Sequence, residues 1–163
     1  MAKLVALRNA NADYIEQLLD DAFGANRHRK TAYLLRQGTA VIDDLSFAIF
    51  DQQTLVGSIQ CWPVAVNTAP LILVGPVAVA PGRQNQGLGR QLLAAAFDAV
   101  KPIDPAMVMI GDPEYYGRFG FVADETGGWT LPGPWEPERL LLRNPLKQQL
   151  PKVGTVGPRS SAL

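Results

Sequence analysis

Residues 52–82 contain no Asp, Glu, Lys, Arg or His, and Asn67-Thr68-Ala69-Pro70 interrupts them in the middle. No other feature restricts the fold as strongly. A stretch with so little to offer water must be covered, and its length invites comparison with a membrane span. The interruption decides against one continuous helix, because asparagine and proline favour a turn and proline cannot continue a helical hydrogen-bond ladder. Two buried strands joined by a turn are the expected structure. The second, residues 71–80, is almost wholly apolar and needs cover on both faces, as strands inside an α/β sheet do. Within it Gly75-Pro76 removes a ladder donor, which predicts a bulge or an opening in the sheet.

Periodicity supplies the elements around this hairpin. Residues 5–7 form a short first strand, and Asn11 is a candidate cap for a helix carrying Ile15, Leu18, Leu19, Ala22 and Phe23, ended by Gly24. Residues 25–28 are expected as a mobile connector and residues 29–37 as a second short helix, stopped by Gly38. Leu45, Phe47 and Ile49 alternate with smaller or polar neighbours before the turn Asp51-Gln52-Gln53, so they pair with the strand of residues 55–66. Residues 87–101 make a helix with Leu88, Leu92, Leu93, Ala96, Phe97 and Val100 on one stripe, terminated by Pro102. Residues 106–110 read as a buried strand. Asp112-Pro113-Glu114 then supplies a cap, a first-turn proline and a first-turn acid for a short helix through Phe119, closed by Gly120. Residues 121–142 hold strand-like pieces around a Gly/Pro-rich loop at 127–137, and the sum is an α/β domain of the α+β type with a mixed sheet.

Composition excludes several function classes. The chain has 163 residues, of which fifteen are basic and fifteen acidic, giving zero net charge, with 47% hydrophobic and 18% charged residues. That length suits one domain, and that apolar content opposes disorder. Neutrality removes the global attraction behind nonspecific nucleic-acid binding, so any anion site must be local. With Cys61 the sole cysteine and His28 the sole histidine, neither an intramolecular disulfide nor a zinc cluster is expected. Residues 1–11 carry Lys3 and Arg8 without an apolar run of signal-peptide length, so the expected location is cytoplasmic.

Residues 77–90, Val-Ala-Val-Ala-Pro-Gly-Arg-Gln-Asn-Gln-Gly-Leu-Gly-Arg, join a strand, a polar glycine-bearing loop and the first turn of the amphipathic helix. Amides at such a turn have no intrahelical acceptor, and the helix dipole adds partial positive charge, which makes a phosphate cradle. No acidic residue stands between Asp51 and Asp98, where Arg83 and Arg90 are the formal charges, so the local potential is expected to be positive. Two phosphate loops fit poorly. A Walker A loop would follow Gly82-x-x-x-x-Gly87 with Lys and Ser or Thr, where this chain has Leu88 and Gly89. A dinucleotide fingerprint starting at Gly87-Leu88-Gly89 would place Leu92 where a third small residue belongs. A Gly-x-Gly turn can also serve simply to join strand to helix.

The segment resembles the acetyl-CoA loop of the GNAT superfamily of N-acetyltransferases, whose pattern is Gln or Arg, two residues, Gly, one residue, Gly or Ala. Gln84, Gly87 and Gly89 match it in register. Val77-Ala78-Val79-Ala80-Pro81 is similar to the end of that family's fourth strand, whose backbone pairs with the pantetheine arm. The resemblance implies that Val77, Ala78 and Val79 bind that arm, and that the amides of Gln84, Asn85, Gln86, Gly87, Leu88, Gly89 and Arg90 hold the pyrophosphate of acetyl-CoA, the co-substrate. Residues 111–121, Gly-Asp-Pro-Glu-Tyr-Tyr-Gly-Arg-Phe-Gly-Phe, are similar to the family's fifth-strand to fourth-helix junction, and their wording resembles the bacterial YhbS-like branch in particular. In many members a tyrosine stands four residues before a Gly-Phe pair, and here that residue is Tyr116.

A phenol has a use at that place. An amine attacking a thioester gives a tetrahedral intermediate whose collapse expels a thiolate, and a nearby phenol protonates or hydrogen-bonds it. Tyr116 is thereby the candidate general acid, while Tyr115 is expected to pack. The resemblance also makes a backbone amide near Gly75-Pro76, such as that of Val77, a candidate donor to the developing oxyanion. Many family members carry a base near the opening of the fourth strand, and this sequence has no Asp or Glu there. The base is unassigned and a water relay equally open, with Asp112 read as a cap, Glu114 as a first-turn charge, and Glu16, Asp20 and Asp21 as solvent-facing. Cys61 reads as a small core residue and His28 as a surface residue. Trp129 and Trp135 either line an acceptor pocket or pin the Gly/Pro loop.

The resemblance implies a mixed, mostly antiparallel central sheet flanked by about four helices. Residues 1–145 are expected as one GNAT-like domain and residues 146–163 as a loosely ordered tail. The implied activity is acetyl transfer from acetyl-CoA to a primary amine by direct attack in a ternary complex, without metal. The alternative is a catalytically silent acyl-CoA-binding module. The expected partner is a small-molecule or peptide amine, with neither nucleic acid nor membrane, and a homodimer is among the assemblies such domains form.

Overall fold

A computed structural model describes residues 2–159. In chain order these form β1 (Ala2–Ala6), α1 (Ala12–Phe23), α2 (Thr31–Leu34), β2 (Phe47–Asp51), β3 (Thr54–Val66), β4 (Ala69–Val79), α3 (Leu88–Ala99), β5 (Met107–Ile110), α4 (Pro113–Tyr116), β6 (Trp129–Thr130), β7 (Leu140–Arg143) and β8 (Gly154–Pro158). Hydrogen bonding orders the strands β1-β2-β3-β4-β5-β7, with β8 beside β3 and β6. The sheet is mixed and mostly antiparallel, as expected, with parallel pairs at β4–β5 and β6–β8. Two compact units divide the chain. One comprises residues up to 27, 41–61 and 75–101, and the other residues 28–40, 62–74 and 102 onward.

The first unit is built on the β1–β2–β3 antiparallel ladder, with Leu4 opposite Ile49 and Ile49 opposite Gly57. Asn11 caps α1 as its sequence predicts, its side chain accepting from the Asp13 amide at 2.8 Å. The helical spacing then buries Ile15, Leu18 and Leu19 in a cluster with Leu7, Ala48 and Ala78. On α3 the buried residues are Leu88, Leu92, Leu93 and Ala96. Close packing of that helix depends on Gly57, where a Cβ would lie 3.2 Å from Leu92 Cδ1 and 3.4 Å from the Ala78 carbonyl oxygen.

The second unit pairs β4 with β5 in parallel, Ile72 opposite Met107 and Leu73 opposite Val108, and β5 with β7 antiparallel from Met107–Arg143 to Ile110–Leu140. Its core gathers Val64, Leu71, Leu73, Val108, Leu140 and Leu142 with Trp129 and Val156. No helix among the described residues is long and apolar enough to cross a membrane.

Three expectations change. The first strand is β1 at Ala2–Ala6 rather than residues 5–7. The connector after α1 is a 3-10 turn, Ala25–Arg29, held by Arg27. Arg27 is 6% exposed and bonds Asp20 at 3.0 Å and Glu16 at 2.6 Å, two acids that are themselves exposed, as expected. The second helix is four residues long, because after Leu35 the bonds tighten to Arg36 N–H to Tyr33 and Gln37 N–H to Leu34.

The expectation of a loose tail is corrected as far as Pro158. Gly154–Pro158 form β8, antiparallel to Val64–Val66 of β3 and parallel to β6. Their glycines and proline give no alternation to read, and the strand is specified by partners distant in sequence. Asn67 bonds Thr155 with both its backbone N–H and its side-chain oxygen, at 2.9 and 3.1 Å. Residues 160–163 of the expected tail lie outside the described residues.

Candidate functional site

The end of β4 alternates as an extended strand should, with Ala78 fully buried and Val77 and Val79 half-buried on the opposite side. The strand reaches that point through Gly75, at φ +127°, and Pro76. The Ala80 amide donates to the Val56 carbonyl at 2.9 Å, and the chain then leaves the sheet. Gly82, Asn85 and Gly87 have φ of +85°, +64° and +81°. Left-handed residues interspersed in this way turn neighbouring N–H groups into one concavity, the geometry that binds anions.

Gly87 is also the N-cap of α3 and offers no side chain, so the start of the helix is closed by backbone alone. The first bond into the helix is Gln91 N–H to the Gly87 carbonyl at 3.0 Å, which leaves the amides of Leu88, Gly89 and Arg90 ahead of the intrahelical ladder. A Cβ built on Gly82 or Gly87 meets nothing within 4 Å. Glycine is therefore required there by the backbone angle, and the space beside the loop is open. Gln84, Asn85 and Gln86 are exposed while Leu88 is buried and anchors the turn. All ten expected cofactor-binding residues, Val77–Val79 and 84–90, thus lie on one contiguous strand, loop and helix of the first unit. This arrangement suits a phosphate or pyrophosphate.

Its charge differs from the sequence expectation. Arg83 Nη2 lies 2.5 Å from Asp51 Oδ2 at the end of β2, so Arg83 is matched by a carboxylate that local sequence does not show. The Arg83 guanidinium holds the Asp51 carboxyl below the usual carboxylate range. What remains positive at the cradle is the exposed Arg90, the free amides and the dipole of α3.

Tyr116 lies in the second unit, on the short α4. Asp112 caps that helix by accepting from the Glu114 amide at 3.0 Å, and Pro113 fills the first turn, as the motif predicts. The buried Gly111 leaves room for the Tyr116 ring, since a Cβ there would come within 2.7 Å of Cδ2. Tyr115 meets the ring edge-on at 4.9 Å and Phe121 at 6.4 Å. Burial above all pushes the Tyr116 hydroxyl pKa up, with Tyr115 and Asp112 adding to the rise and Arg139 opposing it. The hydroxyl makes no hydrogen bond with any other described residue. A half-buried phenol, protonated at neutral pH, is held by its ring with its proton uncommitted. Tyr115 packs instead, against Phe119 at 5.6 Å and under the Arg118 guanidinium.

The remaining candidates resolve by burial. Cys61 is fully buried and its thiol is pushed up to about 12 by desolvation, so it is a core residue and no nucleophile at neutral pH. Trp129 is 2% exposed and donates from Nε1 to the Pro151 carbonyl at 2.8 Å, which pins the Gly/Pro loop. Trp135 packs against the same core. His28 is exposed and lies edge-on to Tyr33 at 4.4 Å. Three positions escaped the sequence: Asp51 as the partner of Arg83, Gly111 as the seat of the Tyr116 ring, and buried Arg27. A signal existed for Arg27, because Glu16 and Asp20 stand four apart on one helix face ahead of a connector rich in arginine. None existed for the other two.

A mostly antiparallel mixed sheet and a strand-to-helix cradle of first-turn amides define an α/β protein whose cradle suits a phosphate-bearing ligand. The sequence profile described as the acetyltransferase (GNAT) family matches residues 12–104, and the chain belongs to that family. It is 33% identical over 114 residues to the uncharacterized N-acetyltransferase YhbS of Escherichia coli strain K12, a match covering 68% of each chain. The crystal structure of Escherichia coli YhbS in complex with CoA superposes with a TM-score of 0.74 at 22% identity, covering 98% of this chain and 89% of that one. A GNAT family acetyltransferase from Brucella melitensis in complex with acetyl-CoA superposes with a TM-score of 0.64 at 23% identity, covering 98% and 96%.

Proposed function

We propose that this acetyltransferase moves an acetyl group from acetyl-CoA to a primary amine by direct attack in a ternary complex. The observation that carries the proposal is the loop at residues 82–90, with left-handed Gly82, Asn85 and Gly87 leading into the free first-turn amides of α3. The relatives whose structures hold CoA and acetyl-CoA support this ligand over other phosphates. In this reading the backbone of Val77, Ala78 and Val79 pairs with the pantetheine arm, and the amides from Gln84 to Arg90 receive the pyrophosphate.

The amine nitrogen attacks the thioester carbonyl, forming the C–N bond and placing negative charge on the carbonyl oxygen, to which the Val77 amide donates. Collapse breaks the C–S bond, and the departing thiolate takes the Tyr116 proton, which solvent then replaces. The uncommitted hydroxyl of Tyr116 supports this role. Strand β4 carries no Asp or Glu, so the base is not on that strand, and a water relay to solvent is the route we propose for the amine proton. The acceptor is a small-molecule or peptide amine, the location is cytoplasmic, and the protein acts without nucleic acid or membrane. A catalytically silent acyl-CoA-binding module is the second reading, favoured by the missing carboxylate on β4.

A thermal-shift titration tests the ligand, with ATP and NAD as controls. Acetyl-CoA at about one hundred times its dissociation constant should add roughly 2.7 kcal/mol, on the order of 5 to 10 °C in Tm at this size. Equal shifts with ATP or NAD would defeat the assignment. Tyr116→Phe should keep acetyl-CoA binding while turnover of an amine falls at least about a hundredfold. A parent protein that binds acetyl-CoA yet acetylates no member of a broad amine panel would favour the silent module.

A further inference from the structure

The ion pair beside the cradle has no part in the chemistry above. We infer that Asp51 is a positioning residue for acetyl-CoA, acting through Arg83 to hold the loop of residues 82–87 in its binding shape. The inference rests on reading that loop as the acetyl-CoA cradle.

Three observations carry it. First, the loop is costly to order. It contains three left-handed residues, one of them Asn85, which carries a side chain, and glycines lose the most backbone freedom when fixed. Second, its own side chains do little to hold it. Gln84, Asn85 and Gln86 are exposed and make no side-chain hydrogen bond to another described residue, and Gly87 caps α3 without a side chain. Third, Arg83 ties it down. The backbone N–H of Arg83 donates to Ala80 at 2.9 Å, while its guanidinium reaches Asp51 at 2.5 Å, with the two side chains 33% and 28% exposed. Asp51 is itself held, paired in the β1–β2 ladder with Ala2 and in the β2–β3 ladder with Thr54 just before the turn at Gln52, φ +57°. The loop is thereby fastened to the C-terminal end of β2, a strand paired on both sides, so the ligand is spared part of the ordering cost.

Electrostatics alone predicts the opposite effect, which makes the inference decidable. A carboxylate near a phosphate site repels the ligand and occupies an arginine that would otherwise attract it, so its removal would tighten binding if charge dominated. If loop ordering dominates, removal weakens binding.

The experiment measures acetyl-CoA dissociation constants by calorimetry, and ligand-free Tm, for the parent, Asp51→Asn, Asp51→Glu, Arg83→Gln and the Asp51→Asn/Arg83→Gln double variant. Each single neutral variant should bind about five- to tenfold more weakly, and the double variant no more weakly than either, as coupled residues behave. Asp51→Glu, which keeps the charge, should recover affinity to within about twofold of the parent. Unchanged or tighter binding by Asp51→Asn overturns the inference, and so does a double variant whose losses multiply. Should Asp51→Asn fail to fold, Asp51→Ser makes the same neutral change and decides it, weaker binding supporting the inference and unchanged or tighter binding overturning it. A parent that does not bind acetyl-CoA at all would sink the cradle reading, and this inference with it.

Discussion

Gly111 does its work by what it lacks. With no Cβ it lets the Tyr116 ring lie across its backbone, and an added methyl would stand 2.7 Å from Cδ2 and 2.8 Å from Cε2. In Gly111→Ala the ring must move, so turnover should fall at least about tenfold, at a stability cost of roughly 1–3 kcal/mol. Acetyl-CoA binding, followed by calorimetry, should persist. Cys61 gives a second prediction at this scale. Its thiol is pushed up to about 12 by burial, so at pH 8 the folded protein should resist an alkylating reagent, with full modification by mass spectrometry after denaturation. The raised value means the fold favours the protonated thiol. That contribution is fully present below the unfolded thiol pKa of about 8.5 and is lost as pH rises from there toward 12. Tyr116 was legible because its motif surrounds it within a few residues. The role of Gly111 was not, because a missing side chain shows its purpose only when the neighbouring ring is placed.

Among the elements, α1 and α3 follow their sequence closely, since an apolar stripe at helical spacing is a local signal, and Ile15, Leu18 and Leu19 of one and Leu88, Leu92, Leu93 and Ala96 of the other are buried, while Phe23 at the end of α1 is exposed. The short α2 does not follow, because its stretch of residues tightens into 3-10 bonds after Leu35 and is tied from outside by Thr31 Oγ1 donating to the Pro134 carbonyl at 2.5 Å. The junction of loop and α3 is the element most exposed to a single change. At Gly87, with φ +81°, alanine meets no crowding within 4 Å but must adopt the left-handed region, a cost of about 1–2 kcal/mol. Gly87→Ala should therefore lower Tm by a few degrees and weaken acetyl-CoA binding about tenfold or more, since the amides it presents would turn away. A Tm loss with affinity unchanged would show that the amides do not hold the ligand.

For the molecule as a whole, the C-terminal strand is the largest departure from expectation. Val156 on β8 is 1% exposed within the core of the second unit, and β8 bonds both β3 and β6. Ending the chain after Pro151 removes a buried valine and two ladders, which should cost about 3 kcal/mol or more. The Tm should drop on the order of 10 °C, and a truncated protein as stable as the full chain would show that β8 contributes nothing. Gly128 reinforces the point, because a Cβ there would run into the Lys152 carbonyl oxygen, so only a glycine lets the loop lie this close to the segment before β8.

By itself the sequence determined the uncharged β3–β4 hairpin, the two amphipathic helices, the glycine cradle and the tyrosine motif. Each is written within one contiguous stretch of chain, where periodicity, capping and turn chemistry act. Tertiary structure alone decided the rest. The partner of Arg83, the seat of Tyr116 beside Gly111 and the order of residues 154–158 all depend on groups brought together by folding, and no local preference encodes them. A glycine-rich segment such as Gly154–Pro158 has no propensity to lose, so its conformation is set by the hydrogen bonds that Asn67, Trp129 and β3 offer it.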